Sequence, residues 1–316
     1  MLQLDGLTTN YRTLRGWVRA AEDVSFSIEK GRALGIVGES GCGKTTVALS
    51  ILKLLPSGGK IRRGRILFNG QDLVPLSDKE MRKIRWKGIS IVFQGAMNAL
   101  NPVFKVRDQI VEAIRIHEPD VSKSEASRRA ESLFEMVGVE PSRIDNYPHE
   151  FSGGMRQRAL IAMALAANPQ VLIADEPGTA LDVIVQAQVL QLMRSLKEKL
   201  GLSMIVISHD LSIVAEICDD VAIMYAGHVA EYGEVSEIFK RPLHPYTQGL
   251  MGAFPSILGE RKKLLSIPGQ PPDLLSPPTG CRFHPRCPYV MDVCKKERPQ
   301  LKKGGSAEHP VACYLY

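Results

Sequence analysis

An eight-residue stretch, Gly38-Glu39-Ser40-Gly41-Cys42-Gly43-Lys44-Thr45, constrains this chain more than any other and fits the pattern G-x-x-x-x-G-K-[ST]. An apolar run, Ala33 to Val37, precedes it and reads as a buried strand; Thr46 to Leu52 follows and reads as a helix. Strand, glycine-rich turn and helix give the pattern its physical meaning as a P-loop. Glycines let successive backbone N–H groups turn inward, and the helix N-terminus adds partial positive charge, so the turn suits phosphate. Lys44 is placed to reach β- and γ-phosphates, and the Thr45 hydroxyl to ligate Mg²⁺. The loop residues from Gly38 to Thr45, with Thr46 behind them, are therefore nucleotide-binding candidates.

With 316 residues the chain can bury a sizeable core as one large domain or two smaller ones. Hydrophobic content of 44% with 23% charged residues excludes a disordered chain. A net charge of +6 suits ATP, an anionic membrane surface or nucleic acid, and does not choose among them. The longest apolar run, Ala159 to Ala167, is too short to span a bilayer. The start, Met1-Leu2-Gln3-Leu4-Asp5, lacks a basic region ahead of an apolar core, so a cytoplasmic chain with reduced thiols is expected.

Along the chain, Leu2 to Leu7 and Val24 to Ile28 alternate like strands of an antiparallel layer. Tyr11 ends a strand beside a basic, loop-like stretch, Arg12 to Arg19, and could stack on a nucleotide base or pack on the sheet edge; Trp17 is a weaker candidate. The apolar strand Ile89 to Phe93 ends at Gln94, whose carbonyl could ligate Mg²⁺ or hold a water. Residues 105 to 147 carry helical periodicity, with a turn and helix start at Pro119 to Ser122. Ser152, Gly153 and Gly154 open the next helix, read over Arg156 to Ala167, as a possible second anion site.

The strand Val171 to Ala174 ends in Asp175-Glu176, adjacent carboxylates that point in alternate directions. One can address Mg²⁺ through water and the other can face the γ-phosphate. Thr179 to Asp182 turns into a helix over Val183 to Leu200, and the strand Ser203 to Ser208 ends at His209. The P-loop, Gln94, Asp175-Glu176 and His209 thus all follow apolar strands, whose carboxyl ends share one edge of a parallel sheet. This pattern reads as an ATP hydrolase, with Glu176 polarising the attacking water and His209 holding that water or the γ-phosphate. Strands Val221 to Tyr225 and His228 to Tyr232 follow, and a boundary falls near residues 235 to 240, where prolines and basic residues become frequent.

These elements, in this order, resemble the nucleotide-binding subunit of an ABC transporter. Gln94 matches its Q-loop, Phe151 to Met155 its signature, Ile173 to Pro177 its second nucleotide strand, Thr179 to Asp182 its D-loop and His209 its switch histidine. The resemblance implies an α/β fold: a P-loop core with a mixed sheet, an antiparallel β layer and a helical subdomain at about 95–165. It also implies pairing of two ATPase domains head to tail, so that Ser152, Gly153 and Gly154 of one complete the ATP site of the other, with Asp182 of the D-loop counted among the nucleotide-binding residues. The signature departs from the usual one at Phe151 and Met155 but keeps Ser-Gly-Gly. The stretches Phe93 to Pro102, Phe151 to Arg158 and Arg241 to Thr247 are similar to the dipeptide and oligopeptide branch. That branch implies residues 1–235 as the ATPase domain and 236–316 as a C-terminal domain. It further implies a related second ATPase subunit, two transmembrane permeases, an extracellular solute-binding protein and a peripheral place on the cytoplasmic face of the membrane. The cargo implied is peptides, or related small solutes such as oligosaccharides.

The Pro-rich tail carries Cys281, Cys287, Cys294 and Cys313. A loop-rich segment often needs a metal staple, and four thiolates suit Zn²⁺ or an iron–sulfur cluster. The absence of paired C-x₂-C knuckles favours iron over zinc, with plain thiols as the remaining reading. Some members of the branch, whose tail this one resembles, carry a 4Fe-4S cluster, so a cluster is the expectation here. His284 and His309 are not expected as ligands, and Cys42 and Cys218 read as ordinary buried residues.

The rival functions are a soluble ABC protein acting on nucleic acid or ribosomes and a regulatory or purely structural nucleotide binder. The first class usually carries long coiled-coil insertions or two cassettes in one chain, and neither is seen in the sequence; no nucleic-acid partner is therefore expected. The presence of Glu176 and His209 argues against an inactive site.

Overall fold

The architecture is that of a computed structural model, and it describes residues 1–316 apart from 94, 96–98, 180, 254–266 and 304–308. In chain order, β1 (Leu2–Thr13) and β2 (Gly16–Ile28) precede β3 (Ala33–Val37), which leads through the P-loop into α1 (Lys44–Ile51). Next come β4 (Gly59–Phe68), β5 (Gln71–Asp72), α2 (Asp78–Ile84) and β6 (Ile89–Val92). Then α3 (Val106–His117) and α4 (Lys123–Met136) lead to α5 (Gly153–Ala164). After them run β7 (Val171–Asp175), α6 (Val183–Leu200), β8 (Ser203–Ser208), α7 (Leu211–Ile217), β9 (Asp220–Tyr225) and β10 (His228–Glu234). The C-terminal stretch holds α8 (Val235–Lys240), α9 (Pro245–Gly252), α10 (Asp292–Lys296), β11 (Lys302–Lys303) and β12 (Pro310–Val311).

The chain divides into two compact units. The first comprises Met1–Ile28, Leu34–Val74 and Ser208–Tyr316. Its antiparallel layer has the order β2-β1-β4-β5. Leu2 and Leu4 of β1 are buried at alternate positions, and a register shift between Leu4 and Leu7 lets Leu7 join the buried set out of strict alternation. The expected loop at Arg12 to Arg19 is instead the end of a long hairpin: Tyr11 pairs with Val18, Arg12 with Trp17 and Thr13 with Gly16. Cross-strand pairing extends the ladder through a stretch whose basic composition resembles a loop. The Thr9 and Ser50 hydroxyls, 2.9 Å apart, tie β1 to α1. A further run of strands has the order β11-β12-β10-β9-β3. Here β3 is parallel to β9, and β9 is antiparallel to β10. The tail adds a core of its own kind, because Tyr246 and Phe283 are buried against Tyr225 of β9 with ring centroids 4.6 and 5.1 Å away.

The second unit comprises Glu29–Ala33 and Pro75–Ile207. Strands β6, β7 and β8 run parallel, with Ile91, Ile173 and Ile205 side by side. All of β7 is buried, as expected of a parallel strand covered on both faces. In the helical part Ser122 caps α4 by accepting from the Glu125 N–H at 3.1 Å, where the sequence places a helix start. Helix α6 spans the expected residues, between an Asp182 cap and Gly201 in the left-handed region at φ 60°. Helix α5 begins three residues earlier than expected, because the Ser152 hydroxyl caps it through the Met155 N–H. Helix α2 adds an element beyond those read from the sequence, opened by a capping box of Ser77 with Glu80. Among the described residues no helix is long and apolar enough to cross a membrane.

Candidate active site

In the first unit the P-loop joins a fully buried strand to a helix that no side chain caps. The amides of that first turn are therefore available to an anion. Gly43 stands at φ 106°, and a Cβ there would lie 2.0 Å from the Ala20 carbonyl oxygen of β2. A Cβ on Gly38 would lie 2.1 Å from the Met224 carbonyl oxygen of β9. Only glycine lets the backbone come this close at both ends of the loop. Between them Gly41, at φ 78°, faces open space. The loop is thus pressed against β2 and β9 and open at its middle, a cradle that fits phosphate.

Lys44 is buried, and its ammonium donates to the carbonyls of Gly38 at 2.6 Å and Glu39 at 3.1 Å. Thr45 is exposed, so its hydroxyl is accessible. Cys42 is buried; desolvation pushes its thiol pKa up, partly offset by the Lys44 charge. That keeps it a neutral packing residue rather than a nucleophile. Tyr11 lies on β1 opposite Val18 and Gly59, half-buried. The Trp17 ring carries the Arg62 guanidinium at 3.9 Å. His209 follows β8 and is exposed, and Asp210 beside it caps α7 by accepting from Ser212 N–H at 2.8 Å.

In the second unit the carboxyl ends of β6, β7 and β8 share one edge. Asp175 pairs with Ile207 across that edge and is 1% exposed. Glu176 stands at φ 49°, a left-handed conformation that a non-glycine residue adopts at a cost of about 1–3 kcal/mol. Its N–H donates to Ile207 at 2.9 Å, and its carboxylate accepts from the Thr179 hydroxyl at 2.8 Å. Strain held in place by such bonds is a mark of functional positions. Gln94 lies outside the described residues. Ser152 is exposed at the start of α5, and Gly154 lets that helix approach α6, since a Cβ would lie 2.5 Å from Val185. The Asp182 carboxylate caps α6 through Val185 N–H at 2.9 Å. Residues that sequence reasoning missed lie in the tail: Tyr246 and Arg286, of the first unit, both bond to Glu39 of the P-loop.

The expected iron–sulfur cluster is corrected. Cys281, Cys287, Cys294 and Cys313 line one cavity, but its free volume is about 10 Å³, roughly that of one water. Among the described residues no three His, Cys, Asp or Glu side chains are arranged to hold a metal ion. Burial pushes the Cys281 thiol up to about 11 and raises Cys287 and Cys313 as well. The loop-rich tail, its four thiols and the resemblance to the peptide branch pointed to a ligand set; the surroundings, including Phe283 and Tyr289, leave the thiols packed in the tail. His309 Nε2 lies 2.7 Å from the Glu231 carboxylate, and His284 Nδ1 lies 2.9 Å from the Cys281 carbonyl oxygen.

Comparison with known proteins agrees with this geometry. A family model described as ABC transporter matches residues 21–179, and one described as oligopeptide/dipeptide transporter, C-terminal region, matches 230–294. The oligopeptide transport ATP-binding protein of Bacillus subtilis is 49% identical over 319 residues, covering 100% of this chain and 88% of that protein. The dipeptide transport ATP-binding protein of Caldanaerobacter subterraneus is 43% identical over 317 residues, covering 100% and 97%. A solved dimeric ATP-binding cassette in a post-hydrolysis state, bound to ADP and phosphate, superposes with a TM-score of 0.67. It is 28% identical and covers 74% of this chain and 99% of that one. The chain belongs to the ABC transporter ATP-binding proteins of the oligopeptide and dipeptide type.

Proposed function

We propose that this chain binds and hydrolyses ATP to energise an ABC importer of dipeptides or oligopeptides, or of related small solutes such as oligosaccharides. The observation that carries the reading is the P-loop itself: an uncapped helix start behind Gly43, with Lys44 and Thr45 on its first turn. Phosphoryl transfer to water needs positioning and charge neutralisation more than covalent help. The loop amides and Lys44 supply both to the phosphates, and Tyr11 stacks on the base. Mg²⁺, when bound, would neutralise phosphate charge, and Thr45, Gln94 and Asp175 are the residues that would hold it. Glu176 polarises the attacking water, and His209 holds that water or the γ-phosphate.

One chain carries one P-loop and one Ser152-Gly153-Gly154 turn, so the complete site is read as shared with a second, related ATPase subunit. Asp182 shapes the turn beside it. The dimeric state of the solved relative supports this reading. Two transmembrane permeases and an extracellular solute-binding protein complete the assembly, with this chain peripheral at the cytoplasmic face. Glu176→Gln should keep ATP affinity within about twofold and lower hydrolysis by about 10²–10⁴-fold, the usual contribution of a general base. Calorimetric binding beside a phosphate-release assay checks it; hydrolysis at the parent rate would remove Glu176 from the mechanism.

A further inference from the structure

We propose that Tyr246 and Arg286 of the C-terminal segment are positioning residues of the ATP site, holding the P-loop in shape through Glu39. The proposal rests on reading the P-loop as the ATP site and extends it to residues more than two hundred positions away.

Glu39 is the second residue of the loop, and the tail grips it at two points. Arg286 donates from both terminal nitrogens to its carboxylate, Nη1 to Oε2 at 2.7 Å and Nη2 to Oε1 at 3.0 Å. Such a two-pronged bond fixes orientation as well as distance. The Tyr246 hydroxyl accepts from the Glu39 backbone N–H at 3.0 Å. The third polar group of Glu39, its carbonyl, accepts from Lys44. One residue therefore connects the tail to the ammonium that reaches for phosphate.

Both grips are rigid. The Arg286 side chain is 6% exposed, and two further donors are engaged, Nε with the Pro268 carbonyl at 2.7 Å and Nη1 with the Tyr225 hydroxyl at 3.2 Å. Tyr246 is fully buried in an aromatic cluster with Tyr225, Phe283 and His244. Burial keeps its phenol neutral across the working range. The segment bearing Phe283 and Arg286 is anchored in turn by Arg282, which bonds to the Ala226 carbonyl and to Glu22.

The competing explanation is an ordinary buried ion pair that staples the tail. It predicts a loss of stability on removal but no specific loss of nucleotide affinity in the folded protein. A positioning role predicts the opposite weighting. The loop holds phosphates in ground and transition states alike, so losing the brace should weaken binding and leave turnover nearly intact.

The test uses the full chain with MgATP, measuring Kd by calorimetry, KM and kcat by phosphate release, and the melting temperature. Arg286→Gln should raise Kd and KM about tenfold, as for loss of a charge-assisted bond, with kcat within about threefold. Arg286→Lys should recover only part of that, since an ammonium lacks the fork. Glu39→Gln combined with Arg286→Gln should be no worse than Arg286→Gln alone, because both remove one interaction. If Arg286→Gln does not fold, Tyr246→Phe decides: it keeps the packing, loses the acceptor and should weaken ATP binding several-fold. Parent-like affinity in folded Arg286→Gln, or in Tyr246→Phe where the former is unfolded, overturns the brace. Lys44→Ala separates the two readings. If it binds ATP like the parent, the P-loop assignment fails; if it loses ATP while Arg286→Gln does not, only the brace fails.

Discussion

Single residues decide where this loop can sit. Gly43 and Gly38 each leave no room for a Cβ, and Gly43 also occupies a backbone region that side chains rarely adopt. Gly43→Ala should therefore shift the loop, because the Ala20 carbonyl of β2 cannot recede without breaking its strand. Backbone strain of about 1–3 kcal/mol adds to that clash. The expected outcome is at least a tenfold loss of ATP affinity in a protein that still folds, read by calorimetry and melting. Glu176 is the opposite case, a residue with a side chain in a conformation that favours glycine. Its position after an apolar strand was legible in the sequence; its strained backbone was not, because strain depends on the bond to Ile207 on the neighbouring strand.

At the scale of elements, local signals were the readable ones. Asp182 and Gly201 bracket α6, and Ser122 starts α4, because caps and stops act within a few residues. Pairing across long separations was not readable. The hairpin through Tyr11 and Val18 hides in a basic stretch, and the bond from Glu39 to Arg286 spans 247 positions. The four tail cysteines do come together around one cavity, but its small free volume and its aromatic surroundings are set by residues far apart in the chain and were not readable from the spacing. Helix α9 gives a further test. Its cap is His244, whose Nδ1 accepts from the Tyr246 N–H at 3.0 Å and whose own N–H donates to the Glu231 carboxylate at 3.0 Å. Burial lowers the His244 pKa to about 4. The unfolded chain takes up a proton near pH 6.5 and the folded one only near 4, so between these values the unfolded state binds more protons. Stability held above pH 6.5 should fall as the pH drops toward 4. The buried His228, lowered to about 3 by burial, adds to the same slope. Melting temperatures from pH 7 to 4.5 should decline less steeply in His244→Asn, which can still cap α9; an unchanged slope would remove His244 as a contributor.

At the scale of the whole molecule, the ATPase motifs account for a chain that works with others rather than alone. Val183 and Ile184 at the start of α6 are 82% and 73% exposed, large apolar groups beside the turn proposed to face a second subunit. Exposed apolar clusters of that kind mark interaction surfaces. On the proposed reading, hydrolysis at this chain's ATP site drives solute import. The direct measurement is uptake of a labelled oligopeptide into proteoliposomes holding the complete transporter, with its binding protein supplied on the side of entry. Uptake should require ATP on the opposite side and fall by at least 10²-fold when this chain carries Glu176→Gln. Peptide uptake that persists at the parent rate with Glu176→Gln would contradict the account.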